Sequence, residues 1–138
     1  MIVINAENLV AGRLAAFAAK KAMEGEKVII VNSEKAVVTG NTKDIYAHYQ
    51  QKSNRGDALI GPFFPRTADR ILRRAVRGML PHKKPTGIEA YKRVMCYLGV
   101  PEKYKALKQE TIEKADIKKS KAKYLSLGTI SNYLKQTK

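Results

Sequence analysis

A single cysteine, no tryptophan and only 12 acidic side chains in 138 residues set the first limits on this chain. One thiol can close no internal disulfide and cannot assemble a zinc site, so the pattern suits a reducing, intracellular setting. That thiol, Cys96, lies in the apolar run VMCYLGV, where a small buried hydrophobe fits better than a nucleophile. No apolar run approaches the roughly 20 residues that cross a bilayer, and MIVINAENLVAGRLAA has no basic segment ahead of its apolar stretch. A soluble cytoplasmic protein is the expectation. His48 and His82 are far apart, and neither an HExxH pattern nor paired cysteines support a metal. With no nucleophile elbow to start a hydrolase triad, catalysis has little to stand on, and no cofactor is expected.

What the chain has in excess is positive charge. Its 27 lysines and arginines leave a net charge of +15. The excess is uneven: +2 over residues 1–62, +7 over 63–93 and +6 over 94–138. A nearly neutral scaffold thus precedes a basic middle and tail. Such a surplus favours a polyanionic partner, nucleic acid first and an anionic membrane surface second. The apolar fraction of 44% is that of a folded protein, and the length suits one domain.

The scaffold reads as α/β. IVIN (Ile2–Asn5) is a short β-branched strand, and Val10–Met23 repeats Leu14, Ala15, Phe17, Ala18 and Ala22 at helical spacing, with Gly25 at its end. VIIVN (Val28–Asn32) has no polar alternation, as in a strand buried on both faces of a parallel sheet. Together they make a βαβ unit. AVVTGN (Ala36–Asn41) reads as a further short strand, followed by a helix over Lys43–Lys52 capped by Asn41 or Thr42. SNRGDALIGPFFP is rich in Gly, Pro and Asn, which predicts a loop and the best candidate for a mobile segment. A helix is predicted over Thr67–Leu80 with Thr67 as N-cap, and PHKKP ends it. TGIE (Thr86–Glu89) has the form of a capping box opening a short helix, and RVMCYLGV reads as the last core strand. Beyond Pro101 come two short helices separated by KADIKKSKAKY, predicted as an irregular arm.

The helix after Thr67 carries the functional signal. At about 100° per residue, Arg70, Arg73, Arg74 and Arg77 share a sector of about 100°, while Ile71, Leu72, Ala75, Val76, Met79 and Leu80 occupy the other side. A solvated helix face usually mixes signs, with acids placed to pair; here only Asp69 is acidic. Guanidinium groups can bridge phosphate oxygens and stack on bases. Arg66 precedes the helix, and His82, Lys83 and Lys84 follow it between two prolines, extending one basic surface. Gly78 is assigned to close helix packing, with close approach of an RNA strand as the alternative.

No helix-turn-helix, zinc finger or basic zipper pattern points to DNA, and no aromatic pair points to an RRM. A rigid arginine face with a lysine-rich arm suits structured RNA. The βαβ start leaves open a nucleotide-binding enzyme on a Rossmann-like core, although INAENLVAGR lacks GxGxxG and VVTGNTKD lacks the P-loop pattern. Gly12 and Arg13, at the start of the first helix, could hold a phosphate on its amides.

VIIVNSEKAVVTGNTKD and RAVRGMLPHKKPTGIEAYKRVMCYLGVP, with GRLAA near the start, resemble the signature stretches of the universal large-subunit ribosomal protein thirteen (L-thirteen) family. The resemblance covers residues 1–101, and KYLSLGTISNYL is similar to the ending of archaeal and eukaryotic members. It implies a three-layer α/β sandwich, with a central, mainly parallel sheet flanked by helices, over residues 1–101. A basic, lysine-rich extension over 102–138 is packed on or beside that core. It implies a non-enzymatic constituent of the large ribosomal subunit in the cytoplasm. The partners implied are large-subunit ribosomal RNA and neighbouring ribosomal proteins, with no membrane and no small-molecule substrate. By position, the family's basic helix and following loop correspond to Arg70, Arg73, Arg74, Arg77, His82, Lys83 and Lys84, and its Gly-Arg segment to Gly12 and Arg13. The short connection before VIIVN and the type of C-terminal ending depart from the bacterial pattern and suit an archaeal one.

Overall fold

The structure is a computed structural model that describes residues 1–137. Its first unit is strand β1 (Ile2–Asn5), helix α1 (Ala11–Met23) and strand β2 (Val28–Val31), with β1 and β2 parallel in the register Ile2↔Val28. All four residues of β2 are buried, the arrangement its unbroken apolar run predicts. The alanine-rich face of α1 (Ala15, Ala18, Ala19, Ala22) is buried and lets the helix lie close against its neighbours.

Strand β3 (Val37–Thr39) is followed by α2 (Thr42–Asn54), α3 (Ala68–Gly78), α4 (Pro85–Lys92) and β4 (Val94–Cys96). Strand β4 pairs in parallel with the outer edge of β2. It is not the last core strand: after α5 (Glu102–Lys105), a two-residue strand β5 (Gln109–Glu110) pairs in parallel with β1. The sheet order is β4-β2-β1-β5, every pairing parallel. Strand β3 stands apart, paired antiparallel with β6 (Tyr124–Ser126), and α6 (Leu127–Gln136) completes the chain.

The two faces of the sheet are covered unequally. Ile4, Val28, Ile30 and Val94 join the large core with buried side chains of α1, α3, α4 and α6. On the other face Val3, Ile29 and Val31 meet Met95, Tyr97, Val100 and Tyr104, a cover made by the strand end and the one-turn helix α5. Among the described residues no helix is long and apolar enough to cross a membrane.

Three local expectations are corrected. The stretch Lys114–Tyr124, read as an irregular arm, is tied down at its start: Ala115 and Ile117 are buried, the Val10 amide donates to the Ala115 carbonyl (2.8 Å) and the Ile117 amide to that of Asn8 (2.9 Å). Thr86 does not cap α4; Lys84 holds that position and Pro85 opens the helix, because its fixed φ suits the first turn. Thr67 does stand at the N-cap of α3, but its hydroxyl makes no capping bond and is buried without a partner.

Helix α6 closes the core from the far side. Ser126 caps it by accepting from the Thr129 amide (3.2 Å), and Leu127, Ile130 and Leu134 are all at most 1% exposed. Its Ser131 hydroxyl donates to the Arg66 carbonyl (2.7 Å), and the Tyr133 hydroxyl donates to Gln50 (2.8 Å). The last helix thereby fixes both α2 and the chain entering α3.

Candidate nucleic-acid interface

Helix α3 is held by Ile71, Leu72 and Val76, all buried, with Leu80 buried just beyond its end. Met79, assigned to the core by its angle, is 47% exposed, because the helix ends at Gly78 and the regular 100° step ends with it. Ala75 is half-buried. The arginine sector survives, but its members differ. Arg70 and Arg74 are exposed; Arg73 and Arg77 are half-buried. Arg73 donates from Nε to the Val94 carbonyl (3.0 Å), and its guanidinium lies 4.3 Å from the Tyr91 ring centroid. It therefore ties α3 to β4 and α4 while leaving its terminal nitrogens to act. The Nε of Arg77 is buried and has no acceptor.

Among the described residues, no ion pair within 4.0 Å involves Arg66, Arg70, Arg73, Arg74 or Arg77. The acids that do pair take lysines, the N-terminus or Arg93. Four cations on one helix side thus have no ion-pair partner within 4.0 Å, and like charges at this spacing repel one another.

Beside this face runs a groove of about 900 Å³ between the end of α2, the segment Pro62–Pro65, α3 and α4. Its basic side chains include Arg70, Arg74, Arg77 and His82, and its rings are Tyr49, Phe63, Phe64 and Tyr91. No carboxylate lines it. Lys52 sits 5.8 Å from the Tyr49 ring and 5.7 Å from that of Phe64. Burial pushes the Tyr49 phenol above its ordinary pKa, so it stays a neutral wall. The sequence reading missed Lys52, Arg55, Tyr49, Phe63 and Phe64. The signal is the aromatic pair of GPFFP immediately ahead of the arginine helix, in a segment whose Gly, Pro and Asn content marks it only as a loop.

The other basic candidates fall in different places. Lys83 and Lys84 are exposed in a tight turn where the His82 amide donates to Leu80 (2.8 Å) and the Lys84 amide to Pro81 (2.9 Å). Arg66 is half-buried at the entrance to α3 and does not line the groove. Arg13 and Gly12 are exposed on α1, outside the groove, and Arg13 donates to the Lys114 carbonyl (3.0 Å). Gly78 is corrected: a Cβ there would meet nothing within 4 Å, so close packing within the chain does not explain it. The close packing belongs to Gly87, buried in α4, where a Cβ would collide with the backbone of Pro81 and His82. Cys96 is buried at the end of β4, and burial pushes its thiol up to about 12, the behaviour of a packed side chain rather than a nucleophile.

The chain matches the family model described as Ribosomal protein L13 over residues 1–103. It is 43% identical over 134 residues to the large ribosomal subunit protein uL13 of Archaeoglobus fulgidus, covering 96% of this chain and 86% of that one. The protein of the same name from Picrophilus torridus is 43% identical over 137 residues, with 99% of both chains covered. That of Methanococcus maripaludis is 50% identical over 106 residues, 74% of this chain and 77% of its own.

Proposed function

The chain belongs to the ribosomal protein L13 family, and from that membership we infer that it is a structural constituent of the large ribosomal subunit, not an enzyme. It works in the cytoplasm, in the ribosome, in association with ribosomal RNA and other ribosomal proteins. We propose that the α3 face makes the principal RNA contact. Arg70 and Arg74 take phosphates, Arg73 is oriented by Tyr91 and Val94, Arg77 reaches into the groove, and His82, Lys83 and Lys84 carry the surface past the helix end. Arg66 and Arg13 act as flanking contacts. Residues 1–101 supply most of the α/β core, and 102–138 form an extension that adds β5 to the sheet and α6 to the buried interior.

One observation carries this reading: the arginines of α3 share one side, and none has an acidic partner within 4.0 Å among the described residues. Phosphates supply that partner, and each one neutralised releases counterions. The rival reading, a nucleotide enzyme on the parallel sheet, would use the crevice at the carboxyl end of β1. That crevice is lined by Glu7, Glu113 and Asp116 as well as Lys118 and Lys119, and three carboxylates oppose a phosphate.

The test is the salt dependence of binding to protein-free large-subunit ribosomal RNA. Each lost phosphate contact flattens the log–log slope by about 0.7–0.9. Replacing Arg70 and Arg74 together by Gln should therefore flatten it by about 1.4–1.8, with an unchanged circular dichroism spectrum. These two are chosen over Arg73, whose loss would also remove a packing contact. An unchanged slope removes α3 from the interface.

A further inference from the structure

A phosphate-binding face needs charge and nothing more, yet the groove beside α3 is walled with rings. We propose that it receives one unpaired ribonucleotide of the RNA, with its base against the aromatic wall and its phosphate on the guanidinium rim. This rests on the RNA-binding reading above and specifies what the site takes.

Three features point to such an occupant. The first is chemistry: the lining combines Phe63, Phe64, Tyr49 and Tyr91 with arginines, lysine and histidine, and contains no acid. Only a ligand that is both flat and anionic matches both halves, and a base in a duplex presents its edge, not its face. The volume, about 900 Å³, lies within the range of about 300–1,000 Å³ common for ligand sites. The second is Phe63, a groove residue that is 73% exposed while its neighbour Phe64 is half-buried, its ring centroid 6.1 Å from that of Tyr49. An exposed ring held on a proline-flanked segment, beside cations, is a stacking surface without its partner.

The third feature is the pair Arg73 and Arg77. Arg73 lines the groove with its guanidinium carbon 4.3 Å from the Tyr91 ring centroid, a cation–ring pair against which a base can stack. Arg77 lines the groove with an Nε–H that is buried and bonded to nothing. A buried donor left without an acceptor carries an uncompensated desolvation penalty. A phosphate oxygen or a base acceptor that reaches this Nε–H from the groove removes that penalty. Gly78 also lines the groove, and the open space over it leaves the rim low enough for an RNA backbone to pass.

The experiment uses the intact chain and two probes with equal numbers of phosphates: a mixed-sequence single-stranded RNA ten-mer and a short blunt RNA duplex. Stacking of one base contributes about 1–3 kcal/mol, so Phe63→Ala should weaken single-strand binding about 5- to 150-fold and leave duplex binding unchanged. The salt slopes of both should stay as in wild type, because no charge is removed. Phe63→Tyr should restore binding, and Leu59→Ser, on the same loop but outside the groove, should have no effect. If Phe63→Ala weakens neither probe, or both equally, while wild-type binding remains salt-dependent, the nucleotide assignment falls and the RNA-binding face stands. If neither probe binds in a salt-dependent way, the RNA-binding reading itself fails. An acidic aromatic peptide that binds more tightly than the ten-mer, and is lost on Phe63→Ala, would replace the nucleotide with a protein segment.

Discussion

Replacing Gly87 by alanine sets a methyl group against backbone atoms that cannot rotate away. The added Cβ would stand 2.9 Å from the His82 nitrogen, and closer still to the Pro81 carbonyl carbon and oxygen. Relief requires the Pro81–Lys84 turn to shift bodily, and overpacking of this kind costs about 1–3 kcal/mol. The upper figure applies here because both obstacles are main chain. Alanine is favoured over glycine inside a helix by about 1 kcal/mol, which leaves a net loss of about 2 kcal/mol. Unfolding entropy of about 2.1 cal/mol/K per residue gives about 0.29 kcal/mol/K for this chain, so Tm should fall by about 7 °C. Gly78→Ala is the internal control. Its Cβ meets nothing within 4 Å, and near the end of α3 the gain is about 0.5–1 kcal/mol, a rise of about 2–3 °C. Thermal melts followed by circular dichroism would show the two glycine-to-alanine changes moving Tm in opposite directions. A Gly87→Ala protein melting at or above wild type would refute the close approach of the turn to α4.

Two further outcomes probe the ends of the core. Ile130→Ala, at a fully buried side chain on the inner face of α6, should cost about 2–5 kcal/mol in a urea titration; a loss below about 1 kcal/mol would mean that α6 is not docked as described. Cys96, with its thiol pushed up to about 12 from an ordinary 9.0, should resist alkylation at pH 8 until denaturant is added. The sign for stability follows from linkage. Above about pH 9 the unfolded thiol ionises while the folded one keeps its proton, so the contribution of Cys96 is intact below pH 9 and declines as pH rises towards 12. Rapid native labelling at pH 8 would contradict its burial.

The elements that could be read from sequence are those whose burial leaves a periodic trace. Val28–Val31 shows no alternation because both faces of β2 are covered, and that run pointed to a strand of a parallel sheet, which β2 is. Gln109–Glu110 leaves no trace at all. As an edge strand β5 contributes backbone bonds to Val3 and Ile4 and buries little side chain, so nothing in its residue types marks it. The anchoring of Ala115 and Ile117 was hidden for a similar reason: two apolar residues among lysines make no pattern, and the carbonyls and amides of Asn8 and Val10 that hold them lie some hundred residues away in sequence.

The interface divides along the same line. Helical spacing grouped Arg70, Arg73, Arg74 and Arg77 correctly because angle around a helix is a local property. It could not distinguish them, because what separates Arg73 from Arg74 is contributed by β4 and α4: the Val94 carbonyl and the Tyr91 ring hold one and leave the other free. The same distant packing brings Tyr49 from α2 and Phe63 from a proline-rich loop against that helix, turning a charged stripe into a groove with a floor. A stripe alone would accept any polyanion, and its selectivity would be only that of charge density. Rings placed between cations add a requirement that a duplex phosphate ribbon does not meet, so discrimination between paired and unpaired RNA resides in residues that carry no charge. Substitutions confined to the arginines would therefore measure affinity and miss selectivity, and the uncharged wall is where the two separate.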